Sequence, residues 1–204
     1  MGLFEELRTD REVTEAMVRQ ISNLQLLFDF ITPLQERELL IKIDQQPWLS
    51  DLKRRVQHYG YKYDYKARRI DSSFFVGELP PWLQQLGEKL VETGILNIMP
   101  DQAIVNEYQP GQGIAMHIDC QPCFADTVIS LSMGSDCLMK FEHSADPAKK
   151  LELLLPQRSL VVMKAESRYN WLHGIVGRQK DNFNGQVRKR GRRISITFRK
   201  VILM

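Results

Sequence analysis

The stretch that decides the fold runs from Asn106 to Asp119 and reads NEYQPGQGIAMHID. It ends in His117-Ile118-Asp119, and residues two apart on a β-strand point to the same face of the sheet. An imidazole and a carboxylate on one face can hold a divalent metal ion together. A single His-x-Asp pair is a weak signal, because a chain with four His can contain one by chance. The remaining parts of such a site must come from elsewhere in the chain.

A third metal ligand has to be a His that follows His117, and the chain offers two. His143 precedes a predicted turn at Asp146-Pro147, whereas His173 lies in the β-type run at 171–176. A strand holds a ligand more rigidly than a loop does, so we expect His173 to complete the set. Two His and one carboxylate, with coordination positions left open, are typical of non-haem Fe(II) oxygenases.

The last predicted strand carries two arginines, Arg193 and Arg199, in the run RISITFR. They are six residues apart and therefore share one face of the strand with Ser195 and Thr197. If the metal site uses a 2-oxo acid, the distal carboxylate of that acid needs a cation. The planar guanidinium fork of Arg binds a carboxylate through two hydrogen bonds, which Lys cannot do.

Together these motifs resemble the AlkB family of Fe(II)- and 2-oxoglutarate-dependent dioxygenases, over a span from about Leu26 to Val201. Three motifs carry the resemblance in the order of the family: Asn106-x-Tyr108-x-x-Gly111, His117-x-Asp119 with His173, and Arg193-x5-Arg199. The chain is especially similar to the dioxygenase domain of the animal tRNA-modifying AlkB homologue. That similarity lies in YQPGQGI at 108–114, VISLSMGS at 128–135 and ESRYNWLHGI at 166–175.

The resemblance implies an α+β fold, a double-stranded β-helix (jelly roll) with N-terminal helices packed outside. It also implies that His117, Asp119 and His173 hold Fe(II). Arg193 would bind the far carboxylate of 2-oxoglutarate, and Tyr108 would donate a hydrogen bond to the same cofactor. Asn106 and Arg199 would lie near its metal-binding end, and ascorbate would serve as reductant in assays.

The implied reaction consumes dioxygen, converts 2-oxoglutarate to succinate and carbon dioxide, and hydroxylates a substrate carbon. A hydroxylated N-methyl group on a base releases formaldehyde. The leading prediction is therefore oxidative demethylation of N-alkylated bases in RNA or single-stranded DNA, where a base leaves its stack at little cost. The alternatives are hydroxylation of a modified wobble uridine in tRNA, hydroxylation or demethylation of a protein side chain, and a nucleic-acid-binding module without activity.

Two positions depart from the pattern of the family. Gln121 stands where DNA-repair members usually carry an acidic residue near the target base. Ser195 stands where the last strand of the family often has Asn. The resemblance therefore predicts the chemistry more firmly than the substrate.

Four tyrosines on alternate positions, from Tyr59 to Tyr65, predict a strand that presents them on one face. Basic residues flank this segment, which falls where AlkB-like proteins have their nucleotide-recognition lid. Aromatic rings with interleaved cations bind single-stranded nucleic acid, so Tyr61, Tyr63 and Tyr65 are candidate contacts. The alternative is a strand that packs its aromatic residues on a helix.

The basic segment from Arg178 to Arg193 is a second candidate for nucleic-acid contact. Arg188, Lys189 and Arg190 are the residues that we expect to contact phosphates. The alternative is a solvated loop before the last strand, because runs of charge are usually solvated.

Length and composition fit one globular domain without membrane association. The chain has 204 residues, 43% hydrophobic and 26% charged, with a net charge of +3 that does not by itself indicate nucleic acid. We expect a helical N-terminal extension over 1–25, a dioxygenase domain over 26–204, and a monomer. No apolar run is long enough to span a membrane.

Cysteine usage and the N-terminus favour the cytoplasm. Three Cys, at positions 120, 123 and 137, are too few and odd in number for a disulfide framework, which fits a reducing compartment. We interpret Cys120-x-x-Cys123 as structural, since one such pair without a second pair or a His cluster is a weak zinc signal. The N-terminal sequence MGLFEE is acidic where a signal peptide is basic and then apolar.

Periodicity predicts helices in the first half of the chain and strands in the second. Val13, Met17, Ile21 and Leu24 have helical spacing within residues 1–24, and residues 26–31 form a short apolar run typical of a strand. Thr32-Pro33-Leu34-Gln35 predicts a capped helix to about Asp44, and Pro80-Pro81 a helix to about Val91. Short β-type runs then follow at 102–108, 114–119, 127–133, 137–142, 151–155, 159–164, 171–176 and 193–199.

Overall fold

The computed structural model describes residues 8–50, 53–64, 67 and 69–203, and within them it contains four α-helices and thirteen β-strands. The helices are α1 (Asp10–Val18), α2 (Pro33–Asp44), α3 (Pro81–Glu92) and α4 (Ala165–Tyr169). The first six strands are β1 (Leu24–Leu27), β2 (Arg55–Tyr61), β3 (Phe75–Gly77), β4 (Gln102–Tyr108), β5 (Ile114–His117) and β6 (Val128–Met133). The others are β7 (Cys137–His143), β8 (Asp146–Leu155), β9 (Leu160–Met163), β10 (Trp171–Ile175), β11 (Lys180–Phe183), β12 (Gln186–Lys189) and β13 (Arg193–Arg199).

Two antiparallel sheets form the body of the protein. The larger has the strand order β1-β9-β6-β13-β4-β2-β3, and the smaller has the order β5-β10-β7-β8. Their inner faces share one hydrophobic cluster, to which Tyr108 and Val161 contribute from the larger sheet and Phe141 and Trp171 from the smaller. This is the expected jelly roll, and Trp171 is buried in its core.

The pleat of the larger sheet separates a helix-facing side from a cavity-facing side. On β13, Ile194, Ile196 and Phe198 pack in the cluster that also contains α2 and α3. The intervening residues of β13 line a cavity between the sheets, as the period of two predicts. The helices therefore cover one face of the sheet and leave the other face for a site.

The two predicted helix starts agree with the structure. Thr32 caps α2 with a reciprocal pair of hydrogen bonds, in which Gln35 N donates to Thr32 Oγ1 and Thr32 N donates to Gln35 Oε1. Pro81 is the first residue of α3. Both helices end within about one residue of the predicted position.

The N-terminal elements differ from the prediction. Helix α1 ends at Val18, and Leu24, which we expected on the helix, begins β1. The strand predicted over 26–31 ends at Leu27, because the chain turns at Asp29, where φ is +49°. Val13 and Met17 of α1 pack against Leu138 and neighbouring buried residues, so the described part of this segment contributes to the core.

The prediction of one strand through four aligned tyrosines is wrong in its second half. Strand β2 ends at Tyr61, and its register shifts between Gly60 and Tyr61. Gly60 has φ of +76°, and a Cβ atom there would lie 1.8 Å from the carbonyl oxygen of Asp101. This bend breaks the period of two, so Tyr59 packs on Trp82 whereas Tyr61 packs on Phe75. Tyr65 lies outside the described residues.

The basic segment before the last strand is also more ordered than predicted. Strands β11 and β12 form a hairpin whose turn is Asn184-Gly185, with φ values of +50° and +73°. Asn-Gly is the strongest short hairpin signal, and the sequence prediction did not use it.

The cysteines differ from the expectation of thiols. A disulfide joins Cys120 and Cys123, whose Cα atoms are 5.3 Å apart across a turn, within normal disulfide reach. Cys137 is free and buried. Among the described residues, no helix is long and apolar enough to cross a membrane.

We expect Gly60→Ala to lower the free energy of unfolding by more than about 3 kcal/mol, because a methyl group there collides with a backbone carbonyl. Gly94→Ala is the matched control. Gly94 has φ of +71° with no atom within 4 Å of its Cβ position, so only backbone strain of about 1 kcal/mol should remain. Urea unfolding measures both variants, and equal losses would contradict the steric account.

Candidate metal centre and cofactor pocket

Three potential metal ligands meet between the sheets. His117 ends β5, His173 lies in the middle of β10, and the two are directly opposite in the antiparallel pairing of these strands. Asp119 follows two residues after His117, and its Oδ2 atom lies 3.6 Å from His173 Nε2. The candidate ligand atoms of all three residues lie within 4.8 Å of one another. A cluster of this composition and size suits a non-haem Fe(II) ion.

Both imidazoles are prepared to donate a lone pair. His117 Nδ1 lies 2.9 Å from the carbonyl oxygen of Ala115, which only accepts, so Nδ1 carries the proton and Nε2 is left to bind metal. Burial lowers the pKa of His173 to about 3, with a further contribution from His117. His173 is therefore neutral near pH 7, the state that a metal ligand requires.

Asp119 is buried, and cations keep it ionised. Burial alone would raise its pKa, but the charge of Arg199 and of nearby cations holds the pKa well below its usual range. Arg199 Nη2 donates to Asp119 Oδ1 at 2.6 Å. Arg168, itself buried, donates to the backbone carbonyls of Asp119 and Cys120 at 3.0 and 3.2 Å. Asp119 is thus fixed through its side chain and its backbone.

The other end of the cavity has a buried cation with unused donors. Arg193 is 3% exposed, and its Nη2 donates to Ser132 Oγ at 2.8 Å. Its Nε and Nη1 atoms have no hydrogen-bond partner among the described residues. The ring of Tyr108 lies 5.4 Å from the Arg193 guanidinium carbon. Burial raises the pKa of Tyr108, so its hydroxyl remains protonated and able to donate.

Unsatisfied buried guanidinium donors are costly unless an anion binds them. A carboxylate fits this position because it accepts two parallel hydrogen bonds from one guanidinium. The cavity that connects Arg193 to the metal ligands has a volume of about 400 Å³. Its two ends therefore suit a small dicarboxylate that binds the metal at one end and Arg193 at the other.

Asn106 lies between these ends. Its Oδ1 atom accepts a hydrogen bond from Arg54 Nε at 2.9 Å. Arg54 and Asn106 both line the cavity. All four residues predicted to bind the cofactor, Asn106, Tyr108, Arg193 and Arg199, lie on one face of β4 and β13 and line the same cavity.

Of the tyrosines predicted to contact nucleic acid, Tyr63 lines the cavity and Tyr61 does not. Tyr63 lines the cavity and packs on Phe124, with ring centroids 5.8 Å apart. Tyr61 is half-buried and forms a tilted pair with Phe75, which is 47% exposed. Tyr63 and Phe124 line the cavity, whereas Tyr61 and Phe75 lie on the paired strands β2 and β3.

Two of the three basic residues predicted to contact phosphates are committed to ion pairs. Arg190 donates to Asp181 through Nε and Nη2 at 2.6 and 2.7 Å, and its side chain is 6% exposed. Arg188 pairs with Asp10 and with Asp136. Lys189 is exposed. Asp10 and Asp136 come from distant parts of the chain, so the segment alone could not reveal them. Asp181 lies within the segment and is brought beside Arg190 by the β11–β12 hairpin.

Sequence reasoning missed three residues of the site: Arg54, Ser132 and Arg168. Arg54 belongs to Lys-Arg-Arg, and only the strand register shows which of these cations faces the cavity. Ser132 and Arg168 lie within stretches already quoted for their family resemblance, but nothing local indicates that they contact Arg193 and the Asp119 backbone. His143, the alternative third ligand, packs against the edge of Trp171 instead.

We expect His173→Ala to weaken binding of Mn²⁺, a redox-stable substitute for Fe(II), by about a hundredfold or more, since one of three ligands is lost. His143→Ala should bind Mn²⁺ like the wild type, because His143 is not in the cluster. Isothermal titration calorimetry of metal-free protein measures both. An equal effect of the two substitutions would refute the assignment of His173.

Comparison with known proteins identifies the family. The model of the 2OG-Fe(II) oxygenase superfamily matches residues 29–199. Protein L905 of Acanthamoeba polyphaga mimivirus is 37% identical over 184 residues, which cover 90% of this chain and 87% of that protein. Two further relatives are named for ALKBH8. The alkylated DNA repair protein ALKBH8 homolog of Arabidopsis thaliana is 36% identical, and tRNA (carboxymethyluridine(34)-5-O)-methyltransferase alkbh8 of Xenopus tropicalis is 38% identical.

The ALKBH8 relatives are longer than the region that they share with this chain. The matches cover 89% and 85% of this chain, but only 59% of the Arabidopsis protein and 31% of the Xenopus protein. The activities of those whole proteins therefore do not follow from the match.

Solved structures support the fold independently of sequence. The structure of OsALKBH1 has a TM-score of 0.66 at 15% identity, with 87% of this chain and 96% of that chain covered. A 2OG-Fe(II) oxygenase family oxidoreductase from Burkholderia pseudomallei has a TM-score of 0.62 at 12% identity, with coverages of 95% and 90%. The chain belongs to the 2OG-Fe(II) oxygenase superfamily, and over most of its own length it is similar to part of the ALKBH8 proteins.

Proposed function

We propose that this AlkB-type oxygenase oxidises a modified base in RNA or single-stranded DNA. The observation that carries the proposal is the cluster of His117, Asp119 and His173 in a cavity whose far end presents unused guanidinium donors. Bound Fe(II) and 2-oxoglutarate supply the oxidation of a substrate C–H bond by dioxygen, with succinate and carbon dioxide as by-products. The chain itself binds and orients these groups.

Each residue of the site has a defined task in this proposal. His117, Asp119 and His173 would hold the metal. Arg193 and Tyr108 would bind the distal carboxylate of 2-oxoglutarate, and Asn106 would contact the cofactor from β4. Arg199 binds Asp119, and this contact keeps the carboxylate ionised and correctly oriented.

The first candidate reaction is oxidative demethylation of an N-alkylated base. It is supported by relatives named as demethylases, such as the DNA N6-methyl adenine demethylase of Caenorhabditis elegans at 28% identity. The probable RNA/DNA demethylase ALKBH6 of Danio rerio is also 28% identical. Hydroxylation of an N-methyl group places oxygen on a carbon bound to nitrogen, and that C–N bond then breaks with release of formaldehyde.

The second candidate is hydroxylation of a modified wobble uridine in tRNA. It is supported by the greater identity, 38% compared with 28%, to relatives named for carboxymethyluridine in tRNA. Gln121 lies two residues after Asp119, is exposed and donates to the Tyr169 carbonyl. It stands where DNA-repair members usually have an acidic residue, and this difference also favours the second candidate. In this case the hydroxyl group stays on carbon and the product keeps it.

The aromatic residues at and after the end of β2 support a single-stranded substrate in both cases. Tyr63 at the cavity wall, and half-buried Tyr61 with exposed Phe75, offer aromatic faces on which unpaired bases can stack. Lys62 and Arg69 are exposed on the same loop, where they can contact phosphates. We therefore assign the phosphate contacts to this loop rather than to the β12 segment, where Lys189 alone of the three predicted residues is exposed.

The decisive assay combines protein, Fe(II), 2-oxoglutarate and ascorbate with matched RNA and DNA oligonucleotides. The set carries 1-methyladenine or 3-methylcytosine, together with a tRNA anticodon stem-loop that carries 5-carboxymethyl-substituted uridine. Mass spectrometry should show loss of one methylene from the methylated bases or gain of one oxygen on the uridine, and His117→Ala should show neither. Succinate formation without a change in any nucleic acid would contradict the proposal.

We expect Lys62→Gln with Arg69→Gln to weaken binding of single-stranded oligonucleotides and to reduce the salt slope by about 1 to 2. Lys189→Gln is the control for a single exposed charge on the other surface. Fluorescence anisotropy over a range of salt concentrations measures both. A larger effect of Lys189→Gln would return the phosphate contacts to the β11–β12 hairpin.

A further inference from the structure

Three residues form a row across the cavity face of the larger sheet: Arg54, which immediately precedes β2, Tyr108 of β4 and Arg193 of β13. In the pairing of β2 with β4, Arg55 is opposite Glu107 and Val56 is opposite Asn106, so Arg54 is next in register to Tyr108. In the pairing of β4 with β13, Tyr108 is opposite Arg193. The row is therefore Arg54–Tyr108–Arg193. Both guanidinium carbons lie near the Tyr108 ring centre, at 5.8 Å for Arg54 and 5.4 Å for Arg193.

The opposite face of the same strands shows how the chain satisfies two arginines when it supplies the anion. There Glu107 is 2% exposed and lies between Arg55 and Arg192, each of which donates to one of its oxygens at 2.6 Å. On the cavity face two other arginines, Arg54 and Arg193, flank the central residue in the same way. That residue is Tyr108, so a phenol stands where the opposite face has a carboxylate. Within the described part of the chain, no carboxylate lies within ion-pair distance of Arg54 or Arg193.

Arg54 also has donors that the described residues do not use. Its Nε donates to Asn106 Oδ1 at 2.9 Å, and its terminal guanidinium nitrogens make no hydrogen bond to another described residue. Because an arginine only donates, the Asn106 oxygen must face Arg54, and the Asn106 amide nitrogen remains a donor. The side chain is half-buried and lines the cavity.

Charge is distributed unevenly along this cavity. At the metal end, Arg199 is already paired with Asp119. At the Tyr108 end, Arg54 and Arg193 carry two positive charges that no described side chain offsets. This end therefore attracts the carboxylate of a ligand that the metal holds at its other end.

We infer that Arg54 is a second cationic contact for the distal carboxylate of 2-oxoglutarate, in addition to Arg193. The inference rests on the cofactor role in the proposed function. Arg54 approaches from the residue before β2, whereas Arg193 approaches from β13. The distal carboxylate is thus bound from either side of Tyr108, and Arg54 also sets the orientation of Asn106.

The test measures 2-oxoglutarate binding to Mn²⁺-loaded protein by isothermal titration calorimetry, without turnover. Arg54→Gln should weaken binding by about tenfold or more, the loss expected when one charge-assisted hydrogen bond is removed. Arg54→Lys keeps the charge and should recover part of this loss. Arg55→Gln is the matched control, because Arg55 is the neighbouring arginine on the opposite face, and its affinity should equal that of the wild type.

A second ligand separates a direct contact from an effect through Asn106. 2-Oxopentanoate has a methyl group in place of the distal carboxylate, so Arg54→Gln should leave its affinity unchanged within about twofold. An equal loss for both ligands would overturn the assignment to the distal carboxylate, and unchanged affinity for 2-oxoglutarate would overturn the inference altogether. If the wild type itself did not bind 2-oxoglutarate, the proposed function would fail instead. Thermal unfolding of each variant confirms that it is folded.

Discussion

Asp119 is a carboxylate that is removed from water and placed beside two imidazoles. Burial of this kind is costly unless cations and donors surround the charge. Here Arg199 binds one oxygen of the side chain, and Arg168 binds the backbone on the same loop. Because Arg199 comes from the last strand and Arg168 from the segment before β10, closure of the jelly roll is what makes an ionised Asp119 tolerable. The rest of the metal centre depends on this charge, since it orients the loop between His117 and the disulfide turn.

The pairing of β5 with β10 supplies the other half of the centre. It sets His117 directly opposite His173, with ring centroids 4.4 Å apart. Burial keeps His173 neutral, and the Ala115 carbonyl fixes the proton of His117 on Nδ1. A rigid antiparallel ladder therefore controls geometry and protonation together, and this suits a site that has to bind a metal without rearrangement.

The central strands of the larger sheet carry a different chemistry on each face. On the helix side they present apolar residues and the row Arg55–Glu107–Arg192, in which both arginines pair with the central carboxylate. On the cavity side they present Asn106, Tyr108, Arg193 and Arg199. Two guanidinium nitrogens of Arg193 and one of Arg199 are buried without a hydrogen-bond partner among the described residues. The pleat allows one strand to stabilise the core and build the site at the same time. A stable ion network and a ligand site therefore lie back to back, and the difference between them is whether the chain supplies the carboxylate.

The sequence by itself determined the class of fold, and it singled out three candidate metal ligands that cluster together and four cofactor candidates that line the cavity. They follow from short-range patterns, namely a period of two, a His-x-Asp pair and two arginines six residues apart. A family resemblance over most of the chain supports them. The tertiary structure alone decided which charged residues are free to bind a ligand. Arg188 and Arg190 looked available in sequence, yet Asp10, Asp136 and Asp181 neutralise them, whereas Arg54 within Lys-Arg-Arg faces the cavity. The bend at Gly60 separated tyrosines that the alternation had aligned, because the Asp101 carbonyl allows no side chain there. Pattern and spacing are local properties, but the partner of a charge and the end of a strand depend on contacts between residues that are far apart in the chain.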